Sequence, residues 1–460
     1  MDPIPSPAWN PDRRWADPLI ATLALVILLL AGDRSRLRHA LPPRIETQVG
    51  LQGRLEDLLL AAPKVLGQLT GKSPAGLKPP PPPAAVAANA SGGWDRALRA
   101  VHEGERKDLT LGASLAAAAP GETGVRFRQA WTWAYQGTGS APDAESLRQV
   151  TRALGNGYAA RILEARVRAR SGETVEVLEK AAQAWVLPRL LGLIGAGFGG
   201  FLLALAGVAF GIFLLLKPAR PAPLPRYRLS GRALLLVLLG WFLTLMAAGS
   251  VVGALLALLP FLRPIGLPLV YGFHAAWGTA FLCMAEGLTL AELWRPLCPG
   301  RSGRALATGL GFFAVAFAAV MAVALLLSPL LRNAEPPQKE LLEMLSNLKG
   351  FGAVALTFLT VAAVAPVFEE LLFRGFLLPW LGERLERRFG PRSGWLLAIA
   401  ATGVTFAAIH LQPLGLPTLS TLGIVLGFAY VRTGNLGTAI LVHGLWNGSV
   451  FILMRLLAGA

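Results

Sequence analysis

The chain has 460 residues, enough for up to three domains at roughly 150 residues each. Its hydrophobic fraction is 54% and its charged fraction 15%, where a soluble globular protein carries about 25% charged residues. With a mean hydropathy of +0.52, this composition excludes a soluble single-domain enzyme and a disordered chain, and Cys283 and Cys298 are too few for a disulfide scaffold. The net charge of +16 alone would suit a nucleic-acid binder. Much of the basic excess, however, sits in short loops between apolar runs, where it reports membrane orientation. The composition predicts an all-α polytopic membrane protein with the lipid bilayer, and no nucleic acid, as its partner.

In chain order, apolar runs bounded by charge or Pro/Gly predict spans near 18–32, 189–216, 231–258, 266–290, 304–331, 351–381, 394–411, 415–431 and 436–457. The first run is short. No small-residue cleavage pattern follows it at Gly32-Asp33-Arg34, so residues 1–38 read as an N-terminal segment with a retained anchor. Residues 39–188 differ in kind. Pro79 to Pro83 form a stiff linker, and amphipathic patterns such as Val175-Glu176-Val177-Leu178-Glu179-Lys180 predict a small helical extramembrane domain across Trp94–Trp185. That domain carries no metal-ligand spacing, phosphate loop or evident nucleophile, which suits docking of a protein partner. Residues 189–345 supply additional spans, and 346–460 the last ones.

Loop charge gives an orientation. Lys217, Arg220, Arg226, Arg228 and Arg232 follow one span; Arg295, Arg301 and Arg304, then Arg384, Arg387, Arg388 and Arg392, then Arg432 recur on the same side. The alternate loops hold only Arg263, and Arg332, Lys339 and Lys349 balanced by Glu335, Glu340 and Glu343. The first side reads as cytoplasmic, in a plasma (inner) membrane, with the N-terminus also inside and the helical domain outside.

Ionisable residues inside apolar spans are costly and point to function. Glu370 and Arg374 are four apart, the spacing of an ion pair on one helix face. Glu369 points about 100° away from its neighbour and lacks that partner. His410 ends the seventh run after Phe406, while His443 and Asn447 share a face of the last. His274 and Glu286, in the fourth run, lack such company and read as structural.

These residue types permit hydrolysis within the membrane. A desolvated carboxylate can take a proton from water, a histidine can share that water, and a His–Asn pair can stabilise an oxyanion. Glu369, His410 and His443 are alternatively a Zn²⁺ ligand set, although the His-Glu-x-x-His pattern is absent.

Glu369-Glu370-x-x-x-Arg374-Gly375, Phe406-x-x-x-His410 and His443-x-x-x-Asn447, in that order, resemble the three motifs of the CPBP intramembrane proteases. That family joins the type II CAAX prenyl endopeptidases with bacterial Abi and bacteriocin-processing proteins. The resemblance covers about residues 351–457. It implies a helical-bundle endopeptidase acting on a membrane-associated peptide or protein. Glu369 would activate water with His410, His443 and Asn447 would stabilise the oxyanion, and no cofactor would be required. Glu370, Arg374 and Phe406 would support them. A catalytically silent scaffold or immunity-type binding protein is the alternative from another class.

One conflict arises from straight-helix geometry. At 1.5 Å per residue, His443 comes out about 10 Å from the cytoplasmic side and His410 about 24 Å from it, unless Pro366 or Pro413 breaks or tilts a helix. The charge pattern itself makes a testable statement. In a background lacking Cys283 and Cys298, a membrane-impermeant thiol reagent should label a cysteine in the Trp94–Trp185 domain from outside and fail to label Arg226→Cys. External labelling at 226 would overturn the orientation.

Overall fold

A computed structural model of the chain describes residues 51–70, 90–155, 157–217, 222–225, 227, 229–294, 302–331, 345, 348, 350–410 and 412–458. The first apolar run, 18–32, and the polyproline linker lie outside the described residues, as does most of the 217–232 loop's basic cluster. Every regular element among the described residues is a helix. Contacts divide the described residues into two compact units, one built from those within 200–331 and 350–451, the other from those within 51–199 with 345, 348 and 452–458.

The second unit begins with α1 (Leu51–Thr70), α2 (Ala90–Glu105), α3 (Leu109–Ala116), α4 (Gly121–Trp131), α5 (Ala144–Ala153) and α6 (Tyr158–Arg170). Local chemistry sets their starts. The Asp108 carboxylate accepts from Leu111 N at 3.0 Å and Asp143 from Ser146 N at 2.8 Å, so each caps a helix whose first N–H groups lack intrahelical partners. The Ser146 N–H holds the Asp143 carboxyl below the usual carboxylate range. Trp94, Leu98, Phe127, Trp131, Tyr158 and Leu163 fill the core. Asp57, buried on α1, accepts from Ala159 N at 3.0 Å and meets His102 Nε2 at 2.8 Å. One carboxylate thus ties three helices. Burial pushes Glu105 up, but Arg166 and Lys64 outweigh it and hold the carboxyl below its ordinary value.

The helical bundle of the first unit follows. Its elements are α7 (Glu176–Leu216, which starts in the other unit), α8 (Gly231–Leu258), α9 (Gly266–Glu286), the short α10 (Leu290–Trp294) and α11 (Ser302–Leu331). Then come α12 (Phe351–Leu359), α13 (Ala365–Glu370), α14 (Leu378–Phe389), α15 (Pro391–Ala408), α16 (Leu416–Thr433) and α17 (Leu436–Ala458). Seven stretches are long and apolar enough to cross a bilayer: Glu176–Leu216, Gly231–Leu258, Gly266–Met284, Leu306–Pro329, Phe351–Ala408, Pro413–Thr433 and Leu436–Leu456. The chain is a multi-pass membrane protein. The runs at 351–381 and 394–411 belong to a single long helical stretch, bent back on itself at Gly390, whose φ of 80° suits a residue without a side chain.

Side chains that a water-soluble bundle would hide stay open here. Leu215 is 81% and Phe351 88% exposed, as lipid-facing residues require. Inside, α15 and α16 meet backbone to backbone. A Cβ on Gly423 would lie 2.8 Å from Gly403 Cα, so only a glycine pair permits this approach.

Candidate active site

Two prolines shape the helix that carries the glutamate pair. In an α-helix each carbonyl accepts from the N–H four residues on. Pro366 has no N–H, which leaves the Ala362 carbonyl without its helical donor. The turn Thr360–Val364 widens to π-geometry, and Ala365 N–H bonds Thr360 O instead of Val361 O. Two consecutive carbonyls are therefore released. Asn447 Nδ2 on α17 donates to Val361 O at 3.0 Å. Ala362 O faces Gly444, where a Cβ would lie only 2.5 Å away, so α17 must carry glycine there.

The same device recurs one step later. Pro379 removes the helical donor of Gly375 O, and the turn Leu371–Leu377 is again π-helical, with Leu378 N–H on Phe373 O. Tyr227 Oη donates to the freed Gly375 carbonyl at 2.6 Å. A buried carbonyl left bare costs about 1–3 kcal/mol, so each outside donor offsets what its proline removes.

Between the two widened turns lie Glu369 and Glu370, and their surroundings differ sharply. Glu370 and Arg374 are both fully buried, with Arg374 Nη1 donating to Glu370 Oε1 at 2.7 Å. Arg374 Nη2 donates to Gly423 O at 2.9 Å, and the guanidinium lies over the Phe406 ring at 4.6 Å. Desolvating two charges costs several kcal/mol per ion, which the mutual pairing and the contacts to Gly423 and Phe406 offset. Glu369 has no arginine. Its Oε2 is buried without a hydrogen-bond partner, and the nearest ionisable nitrogen is His443 Nε2 at 3.9 Å.

His443 bridges the pair. Its Nδ1 meets Glu370 Oε1 at 2.8 Å. An arginine-paired carboxylate only accepts, so Nδ1 carries the hydrogen and Nε2 is turned toward Glu369. His410 is fixed by similar logic. Its Nδ1 lies 2.8 Å from Phe406 O, a carbonyl, so Nδ1 donates and the Nε2 lone pair is left for a reacting group. The Phe406 ring stands edge-on to both imidazoles, with centroids 4.9 Å from His410 and 5.4 Å from His443. The depth conflict from straight-helix counting disappears. Both imidazoles pack against the one Phe406 ring, so they stand at the same level of the bundle.

Glu369 and His410 line a cavity of about 250 Å³ together with Trp241, Tyr271, His274 and Phe368. His443 joins it through Glu369, whereas Asn447 is turned to Val361 and is not among the lining residues. The structure thus gathers Glu369, His410 and His443 around Phe406, and places Glu370, Arg374 and Asn447 behind them as supports. His274 is the residue that sequence reasoning set aside. It stands in the cavity wall one turn from Tyr271, and that i, i+3 pair of polar rings in an apolar span was the available signal. Glu286 accepts from Leu229 N at 3.3 Å at the end of α9, away from the cavity.

Among the described residues no three His, Cys, Asp or Glu side chains are gathered as a metal-ligand set. The Zn²⁺ alternative asks for Glu369, His410 and His443 together. His443 Nε2 stands 3.9 Å from Glu369 Oε2, while its Nδ1 is held by Glu370.

Residues 351–449 match the model of the family described as Type II CAAX prenyl endopeptidase Rce1-like. The segment that carries the three motifs is the segment that matches. An Escherichia coli protein named "Uncharacterized 24.3 kDa protein" is 35% identical over 100 residues, which is 21% of this chain and 42% of that protein. The chain therefore spans less than half the length of this curated relative. No solved structure matches the chain.

The buried pair generates a direct expectation. Arg374→Met removes the counter-charge of a fully buried carboxylate, and breaking such a pair costs about 3–5 kcal/mol. Thermal denaturation of the purified protein in detergent should show a large drop in melting temperature. Arg374→Lys should recover little, because a single ammonium cannot serve Glu370 and Gly423 in the same fork. An unchanged melting temperature for Arg374→Met would contradict this assignment.

Proposed function

We propose that this protein is an intramembrane endopeptidase in which Glu369 activates the attacking water. The observation that carries the reading is the unequal treatment of two adjacent carboxylates. Glu370 holds both Arg374 and His443 on Oε1 and is fully buried, while Glu369 has no arginine and lines a cavity beside His410. A site needing only charge neutrality has no use for the second glutamate. The match of residues 351–449 to the Rce1-like family supports peptide hydrolysis as the chemistry.

The steps follow from the placements. A water in the cavity hydrogen-bonds Glu369 and the His410 Nε2 lone pair. Glu369 takes one proton as the water oxygen bonds the peptide carbonyl carbon, giving a tetrahedral oxyanion. The carbon–nitrogen bond then breaks, and the proton held by Glu369 passes to the departing amine. The products are a carboxylate and an amine, with one water consumed. Oxyanion stabilisation falls to His443 in its doubly protonated form, in which Nε2 donates while Nδ1 stays on Glu370, and Asn447, engaged by Val361 O, holds α17 in register behind it. His443 also keeps the two glutamates apart in role, since its Nδ1 belongs to Glu370. No metal enters any step.

The substrate is a membrane-associated peptide or protein, reached from the bilayer. Proteomes of cells carrying wild-type protein and Glu369→Gln provide the test. The variant keeps the shape of the side chain and loses the base, a change worth about 10²–10⁴-fold in rate. A membrane substrate should accumulate uncut in the variant cells. Identical membrane proteomes would remove the endopeptidase reading.

The absence of a metal step is tested separately. Cleavage of that substrate by the purified protein should continue at the same rate in phenanthroline. Loss of activity in the chelator, with recovery on added zinc, would replace the glutamate mechanism by a metal one.

A further inference from the structure

The cavity that holds Glu369 and His410 has a wall supplied by helices that precede the matched segment. Trp241 comes from α8 and His274 from α9, and both line the cavity. Each is only 3% exposed. Their ring centroids lie 4.7 Å apart, and His274 also stands edge-on to Phe368 at 5.1 Å. Phe368 immediately precedes Glu369, so this wall is packed directly against the helix that carries the base. The close approach depends on Gly278, one turn beyond His274 on α9, where a Cβ would lie 2.1 Å from the Phe368 ring.

The wall is chemically unfinished. Trp241 Nε1 and His274 Nδ1 are both buried, and neither has a hydrogen-bond partner. An indole N–H can only donate, while an imidazole nitrogen can donate or accept. Burying such groups without partners is unfavourable in any apolar surrounding, and phenylalanine would fill the same volumes without that cost. Both residues line one cavity, and an occupant that brings an acceptor and a donor together would complete both nitrogens after a small turn of the rings.

We propose that Trp241 and His274 hold the main chain of the peptide substrate in this cavity, the indole N–H donating to a carbonyl oxygen and His274 Nδ1 accepting from an amide N–H. An extended peptide offers both groups on one edge of a single residue, which is how neighbouring strands pair. Recognition of this kind reads an extended backbone and not a side-chain sequence. The upstream helices thereby contribute to binding, while the matched segment contributes the reacting groups. This inference rests on the endopeptidase reading above.

Steady-state kinetics of the purified full-length protein in liposomes provide the test, with an internally quenched peptide ending in a farnesylated CAAX sequence as the probe. His274→Phe and Trp241→Phe keep an aromatic ring in place and remove the nitrogen. Each should raise KM about 3- to 10-fold, the value of one hydrogen bond, with kcat within about twofold of wild type. His274→Gln keeps a polar amide and should bring KM back toward wild type. A wild-type KM for His274→Phe would overturn the proposal. So would a His274→Gln variant as impaired as His274→Phe, because ring packing alone would then explain the residue. Glu369→Gln separates the two levels of the argument. If it is silent while His274→Phe matches wild type, only the substrate-holding wall fails; if wild type leaves the probe uncut, or Glu369→Gln cuts it equally well, the endopeptidase reading fails and takes the wall with it.

Discussion

The site depends on one buried ion pair. Arg374 and Glu370 are removed from water completely, and the guanidinium reaches three helices by bonding Glu370, bonding Gly423 O and lying over Phe406. In hydrocarbon such a pair persists because the attraction between its charges and the added contacts to Gly423 O and Phe406 offset the loss of water. Arginine suits this position because its planar fork serves a carboxylate and a carbonyl at once. By fixing Glu370, the pair orients His443 through Nδ1. Through His443 it sets what faces Glu369. The surroundings of one glutamate are thus set by what holds its neighbour.

Prolines supply the second constraint. A regular helix through 351–389 would consume all its own carbonyls and offer nothing to its neighbours. Pro366 and Pro379 break that self-sufficiency on either side of the glutamate pair, and the widened turns release carbonyls that Asn447 and Tyr227 take up. In a membrane these contacts cannot be replaced by water, so they specify which helices meet and in which register. Backbone distortion and helix assembly are here one phenomenon.

Much of this was legible in the sequence. Hydropathy gave the spans among the described residues, and i, i+4 spacing gave the Glu370–Arg374 pair, because both depend only on local periodicity. Other features were not. The bond from Asn447 is invisible in the sequence until the widened turn before Pro366 is seen to release Val361 O on another helix. His274 was set aside because its company, Trp241 and Phe368, comes from separate helices, and only its i, i+3 spacing from Tyr271 marked it. The mismatch in depth between His410 and His443 came from treating the spans as straight rods with a common starting plane, whereas both histidines pack against Phe406.

The central claim is a division of labour between adjacent glutamates, and the most direct measurement compares them in one experiment. Glu369→Gln and Glu370→Gln would be purified side by side, with melting temperature and cleavage of a membrane substrate recorded for each. The account predicts that Glu369→Gln melts like wild type and does not cleave, while Glu370→Gln melts at a clearly lower temperature because Arg374 loses its counter-charge. A stable Glu370→Gln protein, or a Glu369→Gln protein that still cleaves, would contradict it.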